Sequence, residues 1–168
     1  MLNAVVPPSH LKFYLLVLAG MCAVILSAQA FEHIGGYQPC KLCLQQRVPW
    51  YAGIPVMALA TLALFLKWPP VITRGLMLVV GLILLYSVYL GVHHSGVEWG
   101  WWEGPGDCGA VEGGLATNTA DFLQQLEQSV PPSCTDAALR VLGLSFAGWN
   151  AVMSFVLAAI ALRTAFKS

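Results

Sequence analysis

Four apolar runs leave this chain few ways to fold: Phe13–Phe31, Val48–Leu66, Gly75–Val92 and Leu142–Leu162 hold 18 to 21 residues each and not one charge. About 20 such residues cross the hydrocarbon core of a bilayer as a helix. In lipid the backbone must satisfy its own hydrogen bonds, which a helix does within one segment. The runs therefore predict an all-α integral membrane protein, a four-helix bundle forming one domain over residues 1–168. Its loops on one side would cover about 32–47 and 93–141. The chain is 58% hydrophobic and 10% charged, whereas a soluble domain carries roughly 25% charged residues. No internal repeat, low-complexity tract or linker to a second domain interrupts the pattern.

The net charge of zero conceals an orientation. Lys12, Lys67, Arg74, Arg163 and Lys167 lie at one set of helix ends, with no acid among them. All eight acids (Glu32, Glu98, Glu103, Asp107, Glu112, Asp121, Glu127, Asp136) lie in the first and third loops, with only Lys41, Arg47 and Arg140 as basic companions. Cytoplasmic loops carry the excess of Lys and Arg, so both termini and the 67–74 loop are expected inside. A competing reading takes Lys12, the first apolar core and Ala28-Gln29-Ala30 as a secretory signal with its cleavage site. Apolar character continues to Phe31 and favours an uncleaved helix.

Four of the five cysteines fall on the outer side: Cys40 and Cys43 in the first loop, Cys108 and Cys134 in the last. Cys40-Lys41-Leu42-Cys43 is a C-x-x-C pair, whose sulfurs can trade between dithiol and disulfide. Its place at a membrane edge suggests redox exchange with a partner dissolved in lipid. Four cysteines allow three pairings, of which Cys40–Cys43 with Cys108–Cys134 is the most natural. Two structural staples are the bland alternative. That reading suits the second pair, which closes a long loop, better than the first, which closes almost none. A zinc site built from the four outer cysteines is a further alternative, weakened by the wide spacing of Cys108 and Cys134. Cys22, inside the first apolar run, reads as a small apolar filler.

A second helix starting between Leu42 and Gln46 would set Cys43 near a helix N-terminus, where a thiolate is favoured. Arg47, at i+4 from Cys43, would add a permanent positive charge. It is also a hydrogen-bond donor for a carbonyl or anionic oxygen, or else a headgroup anchor.

Cys40-Lys41-Leu42-Cys43-Leu44-Gln45-Gln46-Arg47 with Pro49-Trp50-Tyr51 resembles the quinone-site signature of the DsbB family, the bacterial inner-membrane disulfide-bond formation proteins. The likeness continues through His94, Gly96-Val97-Glu98-Trp99-Gly100-Trp101-Trp102, Gly104-Pro105 before Cys108, Cys134-Thr135-Asp136, Leu142-Gly143-Leu144-Ser145 and Trp149-Asn150. The Gly-Val-Glu-Trp-Gly-Trp-Trp stretch looks like the alphaproteobacterial version. Leu139 departs from the pattern, which has an aromatic residue there. The resemblance implies a multi-pass inner-membrane thiol oxidase that re-oxidises a periplasmic DsbA-type partner and passes the electrons to ubiquinone or menaquinone. It also implies that Cys108 is the residue the partner attacks, with Cys134 as its resting-state mate. Cys40 would relay electrons, Cys43 would meet the quinone as a thiolate, Arg47 would hold the quinone oxygen, and His94 would stand near the same site. No metal is implied. A vitamin K epoxide reductase-like protein is the nearest enzyme alternative, but its C-x-x-C lies late in the chain.

Two further features remain. Phe122, Leu123 and Leu126 share one helical face over Asp121–Gln128 and suggest, with Trp99, Trp101 and Trp102, a short element on the membrane surface or packed on the bundle. Asn150, polar within the fourth span, is expected to hydrogen-bond across helices rather than line a quinone cavity.

Overall fold

Each apolar run becomes a helix longer than the run itself in a computed structural model that describes residues 9–105 and 133–167. The helices are α1 (Ser9–His33), α2 (Lys41–Phe65), α3 (Pro70–Glu98) and α4 (Phe146–Lys167), and all four are long and apolar enough to cross a membrane. The protein is an all-α four-helix membrane bundle. The Asp121–Gln128 element and Cys108 lie outside the described residues.

The helix ends follow from local chemistry. After α2, Lys67 adopts a left-handed backbone (φ 56°); its amide donates to Leu64 O and that of Trp68 to Ala63 O (3.1 and 2.9 Å). Those two bonds define a Schellman stop. Pro70 then sits in the first turn of α3, where its missing N–H costs nothing. The same stop closes α3: Gly100 (φ 70°) is the left-handed residue, and Trp101 N donates to Gly96 O. Here glycine supplies a conformation that costs other residues roughly 1–2 kcal/mol.

α4 begins four residues later than the apolar run. Val141 and Leu144 pair as a two-residue hairpin (β1 Arg140–Val141, β2 Leu144–Ser145), with Leu142 and Gly143 both at positive φ, as a tight I′-type turn requires. At its other boundary α3 outruns the apolar run by six residues. His93, His94 and Ser95 read as polar loop residues but continue the helix to Glu98.

Met21, Met57, Met77, Val80 and Leu84 fill the bundle interior with no exposure. Leu26, Leu62, Val71 and Phe155 point outward and are mostly uncovered. So broad an apolar exterior suits hydrocarbon, not water. With apolar surfaces on both sides, close packing carries the helix contacts. A Cβ on Gly91 would fall 2.8 Å from the Ala151 backbone nitrogen, so α3 and α4 meet nearly backbone to backbone. Gly91→Val is therefore expected to cost about 1–3 kcal/mol through overpacking, read as a lower midpoint of thermal unfolding in detergent.

A polar chain crosses this interior. Trp50 Nε1 donates to Asn150 Oδ1 (2.9 Å), Asn150 Nδ2 reaches Ser87 O and Oγ (3.4 Å each), and Ser154 Oγ donates to Ser87 Oγ (2.9 Å). Asn150 thus bonds across α2, α3 and α4. Asn150→Leu strands the indole N–H of fully buried Trp50, a loss of about 1–3 kcal/mol that the same melting measurement detects.

Candidate redox site

α2 starts at Lys41, earlier than the 42–46 window expected from sequence, and this moves the N-cap onto Cys40. The Cys40 sulfur accepts a hydrogen bond from the Cys43 amide (3.3 Å) and lies 2.8 Å from the Cys43 sulfur. Both cysteines are free thiols here. Burial and neighbours then divide the pair. Cys40 is 4% exposed, with the Nε2 of buried His94 at 3.7 Å. Its thiol is drawn well below the ordinary range, chiefly by the Cys43 thiol, then by His94 and the Cys43 amide, against the opposing effect of burial.

The surroundings expected to favour a thiolate at Cys43 therefore gather around Cys40. The physical reason is the cap: a side chain at the N-cap, not one in the first turn, receives the orphan amides. Arg47 supplies less charge to Cys43 than its i+4 spacing suggested, because its guanidinium Nη1 donates to Glu32 Oε2 from the end of α1.

His94 approaches from α3 and is held on two sides. The Gln46 amide lies against its Nδ1, and Glu98, one turn further along α3, brings Oε1 to 3.9 Å from Nε2. The Glu98 carboxylate is 5% exposed, and its Oε2 has no hydrogen-bond partner among the described residues.

Beside the pair lies a cavity of about 470 Å³, lined mainly by apolar side chains from α1, α2 and α4. Its volume falls within the usual range for small-molecule sites. Phe31, Tyr37 and Phe146, in mutual ring contact at 4.9 to 6.2 Å, build one wall. Cys43 brings a thiol to it, and Gln46, Arg47, Trp50 and Asn150 are among its polar residues. Asn150 thus both packs and lines the cavity. His94 is not among the lining residues; it stands next to the site, against Cys40 and against Gln46, which lines the cavity.

Cys134 is disulfide-bonded, is 1% exposed, and shares a small buried cluster with Cys40, Leu42 and Val97, against which Cys43 packs. Residues from the two ends of the outer segment thus meet at the first pair. Cys22 is free and half-buried in α1, outside that cluster. Sequence reasoning missed Glu32, Gln46 and Glu98. The i,i+4 relation of His94 and Glu98 would have signalled the last, had α3 been carried past Val92.

A membrane bundle with a reactive dithiol capping one helix, packed against a disulfide-bonded cysteine and bordering an apolar cavity, has the makeup of a membrane thiol–disulfide oxidoreductase. Residues 10–164 match the family described as Disulfide bond formation protein DsbB. The chain is 32% identical over 153 residues to Disulfide bond formation protein B of Marinobacter nauticus, covering 88% of this chain and 84% of that one. It is 26% identical over 144 residues to the uncharacterized protein RP370 of Rickettsia prowazekii, covering 84% and 80%. No solved structure matches the chain. The chain belongs to the DsbB family and is a multi-pass inner-membrane protein of disulfide bond formation.

Proposed function

We propose that this protein re-oxidises a soluble DsbA-type dithiol on the periplasmic side and delivers the two electrons to membrane quinone. Both termini and the 67–74 loop lie in the cytoplasm in this reading, and the two cysteine-bearing loops face the periplasm. The observation that carries it is the division of the C-x-x-C pair. Cys43 borders the apolar cavity with Arg47, while Cys40 packs with Cys134.

The chain's own residues then have separable tasks. A partner thiolate attacks Cys108, breaking a Cys108–Cys134 disulfide and releasing Cys134 as thiolate. Displacement by the second partner thiol frees the partner as a disulfide and leaves Cys108 and Cys134 reduced. Cys134 attacks Cys40 of the oxidised inner pair, which expels Cys43 sulfur toward the cavity. Cys108 closes back onto Cys134, and Cys40 and Cys43 are left as a dithiol. A bound quinone would supply the two-electron, two-proton acceptor, and Cys40 and Cys43 would return to the disulfide as they give up those electrons and protons. Arg47 offers guanidinium N–H donors to the ring oxygen, held in direction by Glu32. His94, through its contact with Cys40, steadies that sulfur as a thiolate and positions it for exchange.

The test is quinone reduction by the purified protein, driven by a reduced DsbA-type partner and followed by absorbance with ubiquinone and menaquinone in turn. Turnover that vanishes when either cysteine pair is replaced by alanine is expected. Absence of turnover with both quinones would reduce the protein to a stapled scaffold.

A further inference from the structure

We propose that the reduced Cys40–Cys43 pair, His94 and Glu98 form a binding site for a thiophilic, tetrahedral divalent cation of the zinc class, present only in the dithiol form. The Cys40 and Cys43 sulfurs and a His94 ring nitrogen all lie within 4.8 Å of one another. Cysteine sulfur, imidazole nitrogen and carboxylate oxygen are all zinc donors, and Cys2His is a known three-ligand set with a fourth position to fill. A zinc tetrahedron with ordinary bond lengths separates sulfur from nitrogen by about 3.6 Å, nitrogen from oxygen by about 3.3 Å and sulfur from sulfur by about 3.8 Å. The Cys40 Sγ to His94 Nε2 distance is 3.7 Å, already at the required length. Glu98 Oε1 stands 3.9 Å from the same nitrogen, within reach of a small carboxylate rotation.

The sulfurs, at 2.8 Å, must open by about 1 Å to reach that edge. A turn of the Cys43 side chain along the cavity wall provides the room.

Two independent features of the surroundings point to a ligand. Glu98 is a carboxylate nine-tenths buried whose Oε2 has no partner among the described residues, and a buried acid in that state is costly without a cation. Behind the imidazole, the Gln46 amide lies against Nδ1. Metal-bound histidines commonly donate their second ring N–H to such an outer group. A flip of the amide, whose oxygen and nitrogen are interchangeable by shape, presents the acceptor.

Binding moves no electron. The thiol protons leave for solvent and both sulfurs bond the cation. A Cys40–Cys43 disulfide has no thiolate to offer, so the site opens and closes with the redox state of the pair. The cation would hold the pair reduced, with both sulfurs committed to the metal.

The test is titration with Co²⁺, whose absorption reports coordination geometry. It uses the full-length protein with Cys108 and Cys134 replaced by alanine, so that the first pair supplies the sulfur, and the reduced wild-type chain in parallel. The reduced protein is expected to take up one Co²⁺ with tetrahedral ligand-field bands and a sulfur-to-cobalt band, both abolished by Zn²⁺; the oxidised protein gives neither. His94→Ala is expected to weaken binding about tenfold or more. Glu98→Gln, nearly identical in shape, should shift the ligand-field bands, with circular dichroism confirming the fold of each variant. No tetrahedral spectrum in the reduced protein, or one unchanged by His94→Ala, overturns the site. Bands unchanged by Glu98→Gln remove the carboxylate from it. Because the readout is binding, it stands apart from the success or failure of quinone turnover.

Discussion

Cys43→Ser is expected to end quinone reduction, lowering turnover by at least about a thousandfold, as loss of a reacting group does in other enzymes that act through one. Serine fills nearly the same space at the cavity edge but forms no disulfide, so the inner pair can no longer give up two electrons. The fold should survive, because Cys43 is only half-buried. Capture of the partner should survive as well, because in the proposed mechanism it begins at Cys108, and a mixed disulfide would remain visible on a non-reducing gel. Quinone turnover retained by this variant would remove Cys43 from the mechanism. Loss of both activities would place the defect in folding. Cys22→Ala is the contrasting control, since that sulfur lies in α1 apart from the others, and its turnover should match the parent chain.

The spans were legible in the sequence because hydropathy reports the hydrocarbon thickness, which four uncharged runs satisfy. What hydropathy does not report is how far a helix continues beyond the lipid. α3 carries His94 and Glu98 past the end of the apolar run at Val92, and α2 begins ahead of its run with Lys41. Both extensions lie where polar residues resemble loop. They matter because they set which cysteine caps α2 and which side of α3 faces it. The C-x-x-C itself was readable as a local motif. The neighbours that divide its two sulfurs were not: His94 is 54 positions from Cys40, and Gln46 meets His94 across 48. Contacts of that separation depend on how α2 and α3 pack, where the missing side chain of Gly53 lets Ile83 of α3 come within 3.4 Å of the place a Cβ would take. Glu32 illustrates the same limit. As a charge just past the first apolar run it helped define the acidic side, while its pairing with Arg47 appears only when α1 and α2 are set side by side.

That pairing makes Arg47 the second large effect. Arg47→Ala is expected to raise the quinone KM by about 10- to 150-fold, the equivalent of losing a hydrogen bond from a charged donor worth about 1.5–3 kcal/mol. Two effects would act together. The cavity loses its guanidinium donor, and Glu32, three-quarters buried at its side chain, loses its cation. Separating them requires two further variants. Arg47→Lys keeps the charge beside Glu32 but lacks the planar fork that directs several N–H groups at once. It should restore thermal stability more completely than quinone affinity. Glu32→Gln leaves the guanidinium uncompensated but still hydrogen-bonded, so its KM should change by only a few-fold while the melting temperature falls. Steady-state kinetics at varied quinone concentration, with thermal unfolding in the same detergent, distinguishes these outcomes. An unchanged KM in Arg47→Ala would make the residue an anchor that joins α2 to the end of α1. A KM rise in Glu32→Gln as large as that in Arg47→Ala would mean that the carboxylate, not the guanidinium alone, sets the cavity's affinity.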